Sequence, residues 1–158
     1  MTKLTSFSEL FETVETVGFS GTRRGLTIKQ AAALREALES ISPTTFQHGD
    51  CVGADSKAHG IAQSLGISIE TRPCNLERLR AYCEAAATHP EEPPLDRNKK
   101  IVRSSDLMLI CPAELQEQSR GGTWSTFRYA VTQNVPTIVI FRNGSIDSYG
   151  TDATNSVK

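Results

Sequence analysis

Residues 16–27 read TVGFSGTRRGLT: an apolar run, a turn of small and polar residues, and Thr27 placed to cap a helix. The same pattern returns twice. Residues 44–59 read TTFQHGDCVGADSKAH, and 105–112, SDLMLICP, lead into RGGTWSTFRYA at 120–130. Each run has the composition of a strand that ends in a polar loop ahead of a helix. In a parallel α/β sheet such loops open at the carboxyl edge of the strands, where small ligands bind at the switch point. Glycines let backbone N–H groups approach a phosphate, and a helix N-terminus adds a favourable dipole. The pattern points to a nucleotide or phosphosugar site.

Beyond these loops the chain alternates strand and helix. Residues 6–13 suit a short amphipathic helix, with Phe7, Leu10, Phe11 and Val14 on one side. Strands are expected over 15–20, 44–47, 67–72, 107–111 and 137–141. Helices are expected over 28–40, 55–65, 75–88, 95–103 and 123–134. The first helix has Thr27 at its N-cap, Gln30 at N3, and an inward stripe of Ile28, Ala31, Leu34 and Leu38. LMLIC at 107–111 is nearly continuous in apolar residues, as a strand buried on both faces requires. HPEEPP at 89–94 reads as an exposed loop. The expected fold is α/β: a Rossmann-like, doubly wound sheet of about five parallel strands with helices on both faces. Residues 1–142 make one domain, and 143–158, without apolar periodicity, a flexible C-terminal tail.

Composition narrows the function. Lys and Arg number 17 against 18 Asp and Glu, a formal net charge of -1. That balance argues against nucleic acid as a partner, since phosphate backbones call for a basic face. No segment approaches the roughly 18 apolar residues of a membrane span, and the first 17 residues lack the apolar core of a secretion signal. Cys51, Cys74, Cys83 and Cys111 form no CxxC pair, so they read as reduced structural thiols in a cytoplasmic protein.

Each loop has a chemical and a plain structural reading. In SGTRRG, Ser20, Gly21 and Thr22 offer donors and Arg23 a charge; the alternative is a tight turn with solvated arginines. Neither GxGxxG nor GxxxxGK[ST] occurs, so the loop is not a standard nicotinamide site or P-loop. In HGDCVGAD, Gly49 and Gly53 allow special backbone geometry, and Asp50, Ala54 and Asp55 stand beside them. Asp55 can equally cap a helix. His59 lies one helical turn on from Asp55, but a zinc site would need more ligands, so no metal is expected. Arg97 and Asn98 precede the fourth strand, where Arg97 can clamp a phosphate in bidentate fashion or sit on a solvated face. Pro112 closes that strand. Arg120, Gly121, Gly122 and Thr123 form a plausible anion nest or a capped turn. Trp124 reads as a core or dimer-contact residue.

Taken together, SGTR at 20–23, HGDCVGAD with Ala58, RNKKIVRSSDLMLICP at 97–112, GGT at 121–123 and Ala130 resemble the SLOG superfamily of Rossmann-like proteins. That superfamily includes the LOG phosphoribohydrolases and the Smf/DprA DNA-processing proteins. The likeness is to its small YspA/YpsA-like single-domain members and spans about residues 16–141. It implies a nucleotide-derived ligand at the sheet edge and a homodimer or higher homo-oligomer. In LOG enzymes an arginine and a glutamate cleave an N-glycosidic bond. Arg97 matches the arginine, but Phe127 and Arg128 stand where the acidic residues would fall. Asp50 and Asp55 are the remaining candidates for a catalytic carboxylate.

The leading expectation is a binder of a nucleotide or ADP-ribose-like signal, as sensor or sequestering protein, with no further cofactor. A nucleoside monophosphate phosphoribohydrolase is the alternative. Single-stranded DNA binding is a third reading, for which the aromatic content of 6% offers few stacking platforms.

Overall fold

The computed structural model describes residues 10–150. Most of the expected 6–13 helix lies outside them; Leu10 and Phe11 are helical and pack on the core. The strands are β1 (Thr16–Gly21), β2 (Thr45–His48), β3 (Ser68–Thr71), β4 (Ala87–Thr88), β5 (Leu107–Cys111), β6 (Thr137–Ile140) and β7 (Ile146–Tyr149). The helices are α1 (Ile28–Ile41), α2 (Ala54–Ser64), α3 (Pro94–Arg103) and α4 (Gly122–Thr132). One sheet runs in the order β4-β3-β2-β1-β5-β6-β7. All neighbours are parallel except β6 and β7, which are antiparallel.

The doubly wound α/β architecture is as expected, with seven strands instead of five. One added strand, β7, lies in the segment read as a loose tail. Its residues hydrogen-bond along β6, from Thr137 opposite Tyr149 to Ile140 opposite Ile146. Four residues of mixed polarity carry too little period for a sequence reading, and an edge partner supplies the order. The other, β4, is only two residues long. It falls inside the expected 75–88 helix, which the structure replaces with a 3₁₀ turn at Glu77–Leu79 and extended chain. The backbone N–H groups there serve tertiary partners: Ala81 donates to the Asp50 carbonyl at 2.8 Å and Cys83 to the Asp50 side chain at 2.8 Å. A helix would use the same donors internally.

The pleat distributes the core to both faces. Leu107, Leu109 and Cys111 face one cluster with Val17, Phe19, Leu34 and Leu38, under α1 and α2. Met108 and Ile110 face the other with Ile101, Val102, Trp124 and Phe127, under α3 and α4. The capping box at Thr27 and Gln30 forms as read. Ile28, expected inward, is 90% exposed, and Gln30 is fully buried. Its amide donates to the carbonyls of Pro112 and Ile140, both at 3.0 Å, and so ties α1 to the ends of β5 and β6.

Candidate functional site

β1 and β5 lie side by side, but their connections leave in opposite directions, one towards β2 and the other towards β6. The loops therefore part at the carboxyl edge of this pair and leave a cleft of about 530 Å³. Thr22 fixes the first loop: its N–H donates to Cys111 and its carbonyl accepts from Ala54, each at 3.0 Å. Gly53, with φ +94°, faces the Arg23 backbone so closely that any Cβ would collide with it. That glycine serves loop packing. Gly121, with φ +105°, turns the chain into α4, whose N-terminus has no side-chain cap and opens on the cleft.

Of the candidates, Ser20, Gly21, Thr22, Arg23, Gly49, Asp55, Arg97, Asn98, Arg120, Gly121, Gly122 and Thr123 line the cleft. Asp50, Gly53, Ala54 and Pro112 are not among its lining residues. Gly53 and Ala54 hold the turn, and Pro112 gives its carbonyl to Gln30.

Asp50 is the clearest departure. It is 1% exposed, with φ +57°, and its Oδ2 accepts from Arg80 Nε at 3.1 Å and Nη2 at 2.9 Å. It anchors the segment after β3 and reaches no ligand space. Asp55 is not the N-cap of α2; Gly53 is. Its Oδ2 accepts from the amides of Gly49 at 3.1 Å and Cys51 at 3.2 Å, which shapes the loop between β2 and α2. Burial pushes its carboxyl up to about 6, although Arg97 and those amides favour the charged form.

Arg97 is 5% exposed, so it is no solvated face, and it is not free to act as an open fork either. Nη1 donates to the carbonyls of Gly49 and of Arg72, and Nε to Asn98 Oδ1 at 2.7 Å. Gly49 has no room for a Cβ because the guanidinium lies against it. Arg97 brings positive charge to the cleft floor from a fixed position.

His59 finds a partner that spacing did not suggest. Its Nδ1 lies 3.0 Å from His48 Nε2, with the rings edge-on. Cys83 lies close enough for the three to form a group of metal-ligand type. However, His48 Nδ1 accepts the Asp50 N–H at 2.9 Å, which leaves the His48 proton on Nε2, facing His59. That proton occupies the place a cation would need. Burial, helped by His59, depresses His48 to about 3, so it stays neutral. Among the thiols, Cys51 lines the cleft, but burial and Asp55 raise it to about 11, which makes it a poor nucleophile.

Sequence reasoning missed Arg24, Leu79, Leu95, Glu114 and Trp124, all of which line the cleft. Arg24 stands next to a candidate and could have been found. Glu114 lies in no motif, and Trp124 reads as a core or dimer-contact residue, so neither spacing nor type marks them as cleft residues. Trp124 is 3% exposed and packs with Phe127, so it belongs to the core and offers no dimer contact.

No family profile and no curated protein matches this sequence. Solved structures do match in fold. The molybdenum cofactor binding protein from Rippkaea orientalis superposes with a TM-score of 0.62 at 19% identity, over 80% of this chain and 76% of that one. TM1055, a structural-genomics target, gives 0.59 at 14% identity, over 90% and 81%. DNA processing protein A from Helicobacter pylori, described for its single-stranded DNA binding mode, gives 0.57 at 17% identity, over 94% and 74%. The expectation against nucleic acid gains no support from that last likeness. At these identities the shared property is architecture, and that architecture is a Rossmann-like α/β domain.

Proposed function

We propose that the protein binds a phosphorylated small molecule of nucleotide type in the cleft between the β1 and β5 loops, as a sensor or sequestering protein. One observation carries this reading: Arg23, Arg24, Arg97 and Arg120 surround the cleft into which the uncapped N-terminus of α4 opens. An uncapped helix start offers first-turn N–H groups and a positive dipole end, and arginines add charge for a second anionic group. The volume suits a nucleotide, and Leu79, Pro94 and Leu95 supply apolar wall for a base. The four free cysteines suit a reducing, cytoplasmic setting.

The test is a thermal-shift screen of nucleoside mono- and diphosphates, cyclic nucleotides and ADP-ribose. A ligand at about 100 times its Kd stabilises by roughly 2.7 kcal/mol. No shift from any of them removes the reading. Because Arg23, Arg24 and Arg120 are exposed, a single-stranded oligonucleotide belongs in the same screen. A shift from it alone, steeply weakened by salt, replaces the small-molecule reading with nucleic-acid binding. The homo-oligomer is part of this proposal, and light scattering that gives the monomer mass at micromolar concentration removes it.

A further inference from the structure

The cleft holds an acid that anion chemistry does not explain. Glu114 follows β5, is exposed and lines the cleft. Its Oε1 accepts a 2.7 Å hydrogen bond from Trp124 Nε1. Trp124 is a fixed post, 3% exposed and edge-on to Phe127 with ring centroids 5.6 Å apart. An indole N–H can only donate, and here it holds one carboxylate oxygen at the cleft wall. The other acid of the cleft, Asp55, is buried, and its Oδ2 is taken by backbone amides. Glu114 is thus the exposed negative charge in a cleft bordered by arginines.

Such a charge repels a phosphate. It benefits a ligand only by accepting hydrogen bonds from a neutral part of the same molecule. A carboxylate has about four lone-pair sites, and Trp124 fills one. Trp124 belongs to the first turn of α4, and Glu114 lines the same cleft as the helix start, where a phosphate would sit.

Resting on the nucleotide reading above, we propose that Glu114 accepts the two hydroxyls of a vicinal diol, the 2′,3′-diol of a ribose. Trp124 is then a positioning residue that orients the carboxylate. The cleft takes ribonucleotides ahead of deoxyribonucleotides, and Glu114 sets that preference.

Calorimetry with ADP, 2′-deoxy-ADP and inosine diphosphate tests this. The parent should bind ADP at least about tenfold tighter than 2′-deoxy-ADP, the size of a charge-assisted hydrogen bond. Glu114→Gln, which keeps an acceptor for Trp124, should shrink that ratio to about threefold or less. Trp124→Phe should also shrink the ratio, whereas a purely structural role would weaken both ligands alike and leave it unchanged. Equal binding of ADP and 2′-deoxy-ADP by the parent overturns the proposal. An undiminished ratio in Glu114→Gln also overturns it. Loss of affinity with inosine diphosphate alone would reassign Glu114 to a base amino group. If neither these three nor any nucleotide of the thermal-shift screen binds the parent, the nucleotide reading itself fails.

Discussion

Asp50 and Arg80 form a two-point ion pair, with one carboxylate oxygen accepting from both Nε and Nη2 of the guanidinium. Arg80 also bonds Glu91 at 2.7 Å and stacks 4.2 Å over the Tyr82 ring. The pair fastens the chain after β3 onto the loop that ends β2, and Leu79 from that chain forms part of the cleft wall.

Asp50→Ala removes the acceptor and leaves Arg80 and the Cys83 amide without it. Asp50 is buried, but Arg80 is half-buried and keeps Glu91, so the cost is that of the lost charged hydrogen bonds and the unsatisfied Cys83 amide, about 1–3 kcal/mol. Urea denaturation should show that loss. A destabilisation under about 1 kcal/mol would mean that the segment is held mainly by its backbone bonds.

Arg97→Lys keeps the charge and loses the fork that joins Gly49, Arg72 and Asn98. It should lower stability by about 1–3 kcal/mol and weaken ligand binding together. A variant that binds less well yet unfolds like the parent would show that Arg97 acts on the ligand directly.

Gly122 stands in open space, with Asn98 Nδ2 at 3.9 Å the nearest atom to an added Cβ. Gly122→Val should therefore leave unfolding within about 0.5 kcal/mol of the parent, as surface changes do. It should cut binding at least about tenfold if a phosphate sits on the α4 start. Unchanged affinity moves the anion elsewhere in the cleft.

Asp55 and His48 act oppositely on pH stability. Burial lifts Asp55 to about 6, above the ordinary value of about 3.9. Its contribution is full below about pH 4 and fades as pH rises through 6. Burial lowers His48 to about 3, beneath its ordinary value of about 6.5. Its contribution is full above pH 6.5 and fades as pH falls. Between about pH 4 and 6 the slopes oppose. Asp55→Asn removes one of them, so the variant's denaturation midpoint should climb with pH across that window more steeply than the parent's. Parallel profiles in parent and variant would contradict the assignment.

Residues 123–134 contain no acid. Base release from AMP, CMP, GMP or UMP should be negligible, since a missing general acid–base group typically costs 10²–10⁴-fold. Phe127→Glu is no rescue: Phe127 is 7% exposed and packs edge-on against Trp124 and Tyr149, so the variant should unfold. Robust turnover, measured as free base, would show that Asp55 or Glu114 supplies the carboxylate.

Local rules carried much of the architecture. LMLIC reads as a strand buried on both faces because every position is apolar, and it lies inside the sheet between β1 and β6. Thr27 and Gln30 form their capping box because both partners lie within one turn. The glycine loops after β1 and before α4 line the cleft because the βα connections of a parallel sheet open at one edge. Other features depend on partners far along the chain. Asp50 stands in a glycine loop as a ligand residue would, but its carboxylate is held by Arg80, 30 positions away. The 75–88 helix gave way because its amides bond residues near Asp50. β7 exists because β6 needed an edge partner. Glu114 and Trp124, 10 residues apart, meet only because β5 and α4 pack on one another. Residue type and spacing report contacts within a strand or a helical turn. Which long-range partner satisfies a buried charge or an edge strand is settled when the sheet closes.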